Sequence, residues 1–158
     1  MIFSGYRVPG IGYRVPDNER KGKEYMGKLK SYQELDVWRK SMDLVMAIYA
    51  LTDKLPANEK YGLVSQMQRC AVSIPANIAE GYSRTHRGDY LRHLSIARGS
   101  LAELETHLCI VERLGYLKHD ENDELWGMVQ DAGMMLTRLI AALDPTRNPR
   151  PETRDPNQ

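Results

Sequence analysis

Strand signals are missing from this 158-residue chain. It has no alternating run of β-branched residues and no Asn-Gly or Asp-Gly turn, which argues against a β-rich fold. Its two cysteines, Cys70 and Cys109, make no CxxC pair and no disulfide framework, as expected in a reducing compartment. The longest uninterrupted apolar run, Leu44 to Leu51, is far short of a membrane span, so no membrane partner is expected. No long apolar segment follows basic residues at the N-terminus. A secretory signal is therefore not expected, and a cytoplasmic location is.

Catalytic constellations are equally scarce. His86, His93, His107 and His119 form neither HExxH nor another spaced metal pair, so no metal site is expected. No glycine pattern of the nucleophile-elbow type frames a serine, and no glycine-rich loop is placed to cradle a phosphate. Cys70 and Cys109 lack close basic neighbours that would activate a thiolate, and are expected to pack as small apolar side chains. An enzyme is not expected, no catalytic residue is assigned, and no cofactor is implied.

What is present fits one globular domain with a sizeable core. The apolar fraction is 42% and the formal net charge is +1. The charge is unevenly spread. Residues 1–30 carry seven Lys/Arg against three acids, while residues 31–143 carry twelve against fifteen. The basic first segment repeats a pentapeptide, Gly5-Tyr6-Arg7-Val8-Pro9 and Gly12-Tyr13-Arg14-Val15-Pro16. Its Gly, Pro and Lys content argues for an irregular arm over 1–30. That arm is either a tail that seeks nucleic acid or sequence upstream of a start at Met26. The tail over 144–158 has no apolar anchor and is expected to be disordered.

Between them the pattern is helical throughout. A first helix is expected from about Tyr32 to Leu55. Leu35, Trp38, Met42, Val45 and Tyr49 form one stripe, widened by Val37, Leu44, Ile48, Leu51 and Leu55. This is broader than one core face needs, so Trp38, Met42 and Tyr49 are expected to help bury a subunit contact. Asn58 is the expected cap of a second helix running to about Ser83. Thr85 should cap a third, whose seam is Tyr90, Leu94, Ala97, Leu101, Leu104, Leu108 and Val111, closed by Gly115. Asp120 should cap a fourth, with the seam Leu125, Val129, Ala132, Leu136, Leu139 and Leu143. Four long helices with short connections predict an all-α, up-down-up-down four-helix bundle over residues 31–143.

Pro75 falls inside the second helix. Proline costs about 3 kcal/mol in a helix interior. The apolar register continues across it through Val64, Met67, Ala71, Ile74, Ile78 and Tyr82, which predicts a kinked helix rather than two. Beside the kink, Arg69, Ser73, Asn77, Glu80 and Arg84 make a polar stripe. It suits a structural network better than a ligand site. The strongest functional candidate is basic. Arg84, Arg87, Arg92 and Arg98, with His86 and His93, are opposed only by Asp89. Arginines near a helix N-terminus oppose its dipole, so stability explains them poorly, whereas phosphate binding would use them.

Several stretches together carry a family resemblance. They are Leu35-Asp36-Val37-Trp38-Arg39-Lys40-Ser41-Met42-Asp43-Leu44, Lys60-Tyr61-Gly62-Leu63, and Ser73-Ile74-Pro75-Ala76-Asn77-Ile78-Ala79-Glu80-Gly81. Leu94 to Thr106 and Arg113-Leu114-Gly115-Tyr116-Leu117 complete the pattern. Over about residues 31–143 the chain resembles the 23S rRNA-intervening-sequence proteins, a four-helix bundle family distantly related to the accessory variability determinant of diversity-generating retroelements. The resemblance implies a small cytoplasmic bacterial bundle assembled as a homopentamer, with RNA or DNA and a reverse transcriptase or other protein as partners. It supplies no catalytic residues. The expectation is a non-enzymatic oligomeric bundle that binds nucleic acid through Arg84, Arg87, Arg92 and Arg98. The rival is a structural or protein-interaction module without nucleic-acid affinity.

Overall fold

The computed structural model describes residues 29–117 and 119–144, with the side chains of 119–122 excepted. Apart from Leu29, Lys30 and Asp144, the expected arm over 1–30 and tail over 144–158 lie outside the described residues. Among the described residues there are four α-helices: α1 Asp36–Thr52, α2 Leu63–Tyr82, α3 Arg87–Arg113 and α4 His119–Leu143. Short 3-10 turns at Tyr32–Glu34 and Ala57–Glu59 precede α1 and α2. Among the described residues there is no strand, and no helix is long and apolar enough to cross a membrane.

The helix starts differ from expectation for local reasons. Ser31 Oγ accepts from Gln33 N, which fixes a 3-10 turn, and Leu35 is then extended (φ −71, ψ 122). The first α-helix therefore opens at Asp36 and not at Tyr32. It closes at Thr52, whose hydroxyl donates to the Tyr49 carbonyl and accepts from Gln68 Nε2 at 2.8 Å. Asn58 does not cap α2. Gly62 occupies the cap position without a side chain, and the Glu59 carboxylate accepts from Leu63 N in its place. A Cβ on Gly62 would stand 2.9 Å from that carboxylate oxygen. Likewise His86, and not Thr85, precedes α3, with no side-chain cap. Helix α4 starts at His119, one residue before Asp120, whose side chain lies outside the described set.

The end of α3 follows the sequence closely. Gly115 has φ +72, Gly115 N–H donates to the Glu112 carbonyl, and Tyr116 N–H donates to the Val111 carbonyl. These two reverse bonds cap the free carbonyls and turn the chain, and the left-handed φ is what glycine tolerates without strain.

Each helix packs against two neighbours, α1 on α2 and α4, α3 on α2 and α4. Between α2 and α3 the contacts pair in reverse order. Arg69 meets Glu103, Ser73 meets Ser100, Asn77 meets His93 and Gly81 meets Tyr90, so the two helices run antiparallel. All seven residues of the expected α3 seam are buried. Leu44, Ile48, Met67, Ile74, Ile78 and Leu136 complete the solvent-free centre. On α4 the seam drifts at its end: Ile140 is buried, and Leu139 only partly. Pro75 is itself buried, and the helix continues on both sides of it.

Candidate functional site

The polar stripe on α2 faces α3, where Arg69, Ser73, Asn77 and Glu80 each find a partner. Asn77 Nδ2 donates to the Ser73 carbonyl at 2.9 Å and to Ser73 Oγ at 3.1 Å, and Ser73 Oγ lies 2.8 Å from Ser100 Oγ. With its NH₂ group so used, Asn77 offers Oδ1 to His93 Nδ1 at 3.2 Å. An amide oxygen only accepts, so Nδ1 of His93 must carry the proton. Its Nε2 lies 3.6 Å from Glu80, and Glu80 also pairs with Arg84. Helical spacings of three and four explain why these α2 groups share a face.

The same seam continues at the other end of α2. Arg69 Nη2 lies 3.9 Å from the Glu103 carboxylate, and His107 Nε2 lies 3.8 Å from it. Cys70, only 2% exposed, sits beside them. Burial, reinforced by Glu103, pushes its thiol up to about 11, so it is protonated at neutral pH and poorly reactive. Sequence reasoning missed this Cys70–Glu103–His107 group. The four-residue step from Glu103 to His107 was legible, but the register that brings Cys70 across was not.

The arginines do not gather into one patch. Arg84 is spent on Glu80. Arg87, Arg92 and Arg98 are exposed and have no ion pair among the described residues. Arg87 and Arg98, eleven residues apart, share a face of α3, and Arg92 is turned from it. Arg98 also lines a shallow groove of about 430 Å³ between α3 and α4, together with Glu105, Gln130, Thr137 and Arg138. Arg138 is a basic residue that the sequence did not single out.

The expected subunit-contact residues divide. Trp38 is partly buried and packs edge-on to Tyr32, with ring centroids 5.4 Å apart. That contact starts an aromatic chain through Tyr82 to Tyr90. Met42 and Tyr49 are exposed, and Met46, between them on the same face, is 68% exposed. Met46 belongs with them by spacing, four residues after Met42 and three before Tyr49.

No curated protein matches this chain. Among solved structures it is similar to a protein of unknown function from the S23 ribosomal protein family of Bacteroides thetaiotaomicron. The identity is 26% and the TM-score 0.61, over 66% of this chain and 97% of that one. The family model described as 23S rRNA-intervening sequence protein matches residues 33–138. With its four helices, its buried α3 seam and the glycine-closed turn after it, the chain belongs to the 23S rRNA-intervening sequence protein family.

Proposed function

We propose that this protein is a non-enzymatic, oligomeric helical bundle that binds RNA or DNA through the basic face of α3, as an accessory to a larger nucleic-acid enzyme. The observation that carries the reading is that Arg87, Arg92 and Arg98 are exposed on α3 and have no ion pair among the described residues. Acids are available in the bundle, yet these side chains do not use them. Arg98 and Arg138 flank the α3–α4 groove, where a phosphate backbone would find two guanidinium groups. Arg84 plays a lesser part, because Glu80 already holds it.

Assembly would multiply a small charge. The apolar face of Met42, Met46 and Tyr49 on α1 is the subunit contact in this proposal, with Trp38 one turn before Met42 and packed on Tyr32. A homopentamer would repeat Arg87 and Arg98 around a ring and strengthen its field.

Fluorescence anisotropy with single-stranded RNA and duplex DNA across a salt series tests the proposal. Binding should be weakly sequence-selective and steeply salt-dependent. Replacing Arg87 and Arg98 by Gln should lower affinity and flatten the salt slope while light scattering shows the oligomer intact. If the parent binds neither nucleic acid at low salt, the reading fails and a protein-interaction module takes its place. A folded monomer at micromolar concentration would remove the ring.

A further inference from the structure

Cys70 of α2 and Glu103 and His107 of α3 bring three different donor groups to one point. The Cys70 sulfur, a Glu103 carboxylate oxygen and a His107 ring nitrogen all lie within 4.8 Å of one another. Thiolate, carboxylate and imidazole together form the donor set of zinc and its borderline-soft neighbours. Glu103 and His107 are one helical turn apart, so the same rigid element presents both.

A second observation concerns His107 alone. Both of its ring nitrogens are shielded from solvent, and neither has a hydrogen-bond partner among the described residues. Glu103, 3.8 Å from Nε2, stands at ion-pair but not hydrogen-bond distance, and shielded polar atoms without a hydrogen bond are unusual. Glu103 is about half exposed, which leaves an entry path from solvent on its side. Arg69, 3.9 Å from the carboxylate, would share it with an incoming cation.

We propose that Cys70, Glu103 and His107 form a binding site for a divalent transition metal of the zinc class, with a fourth position open to water. Bond lengths of about 2.0–2.3 Å require the three donors to close in by roughly 1 Å, within the reach of side-chain rotation. On binding, the metal bonds to sulfur and the thiol proton leaves to solvent, so one proton is released for each metal taken up. A metal held this way would pin α2 to α3 at the end away from the Asn77–His93 network.

Cobalt titration of the untagged full chain, stripped first with chelator, tests the site. The expected result is a thiolate-to-cobalt charge-transfer band in the near ultraviolet with the visible bands of four-coordinate cobalt. Both should saturate at one equivalent and be displaced by zinc. Cys70→Ser should abolish the charge-transfer band. His107→Gln should weaken binding by more than about 100-fold, because even outer-shell partners cost 10–100-fold. Cys109→Ser should leave the spectrum unchanged. Absence of the band in the parent at cobalt excess overturns the proposal, as does its survival in Cys70→Ser or its loss in Cys109→Ser. Where a Cys70 or His107 variant does not fold by circular dichroism, the parent and Cys109→Ser spectra decide.

Discussion

The ring of Tyr90 lies directly against the backbone of Gly81: a Cβ at Gly81 would stand 2.7 Å from Tyr90 Cδ2 and 2.9 Å from His93 Cβ. Helices α2 and α3 approach closely here because one of them has no side chain. Glycine usually weakens a helix by about 1 kcal/mol relative to alanine, yet here the missing methyl is what lets Tyr90 into the core.

Gly81→Ala should therefore destabilise the bundle. The gain in helix propensity of about 1 kcal/mol is outweighed by overpacking of roughly 1–3 kcal/mol and by displacement of Tyr90 and His93. Urea unfolding should show a lower midpoint with an unchanged slope. A second change, Tyr90→Leu, should recover part of the loss in Gly81→Ala while costing stability on its own. Additive effects of the two changes would mean that they do not meet.

Tyr90 carries a second cost. Its hydroxyl is buried with no hydrogen-bond partner among the described residues, and burial with Tyr82 nearby pushes its phenol well above the usual range. Tyr90→Phe removes an unpaired polar atom and keeps the ring. Stability should rise by about 1 kcal/mol, seen as a melting temperature higher by roughly 4 °C. A fall would show that the hydroxyl has a partner in solution.

The thiol of Cys70 gives a pH dependence of known sign. Its ordinary value is 9.0, and burial with Glu103 raises it to about 11 in the folded chain. Below about pH 9 both states hold the proton and the thiol contributes nothing to the slope. Between pH 9 and 11 the unfolded chain releases the proton first, so stability falls by about 2–3 kcal/mol across that window. Cys70→Ser should flatten this alkaline limb in denaturant titrations taken at successive pH values under metal-free conditions. An identical limb in the variant would assign the loss to other groups.

Pro75 removes a backbone donor from the middle of α2 and leaves the Ala71 carbonyl without its usual helical partner. We expect the helix to bend there and the bend to be part of the packing. Pro75→Ala should then lower stability, despite better local propensity, by misplacing Ile78 and Tyr82. A marked rise in melting temperature with unchanged assembly would deny the proline a packing role.

These residues also show what the sequence makes legible. The α3 seam is read correctly at every position because its spacing of three and four is regular and its side chains are large. The close of α3 is equally plain, because Gly115 offers a conformation that few other residues tolerate. Helix starts are harder. Asn58 is the expected cap of the second helix, but the helix opens four residues later, where Gly62 takes the cap position and the longer Glu59 side chain reaches Leu63 N. The functional groups divide in the same way. The α2 stripe is visible from spacing alone, whereas its partners Ser100, His93 and Glu103 depend on how α2 and α3 slide past each other. The pairing of Arg84 with Glu80 needs no such register, because the two lie four residues apart on the same stripe.

The Glu59 carboxylate has a wider reach than a helix cap. One of its oxygens receives the Leu63 N–H and the other the Tyr116 hydroxyl, 3.2 Å away. A single side chain thus clasps the entry to α2 and the exit from α3, two stretches more than fifty positions apart in the chain. We expect this end of the bundle to open as a unit, so that amide exchange at Leu63 and Tyr116 keeps a common clock.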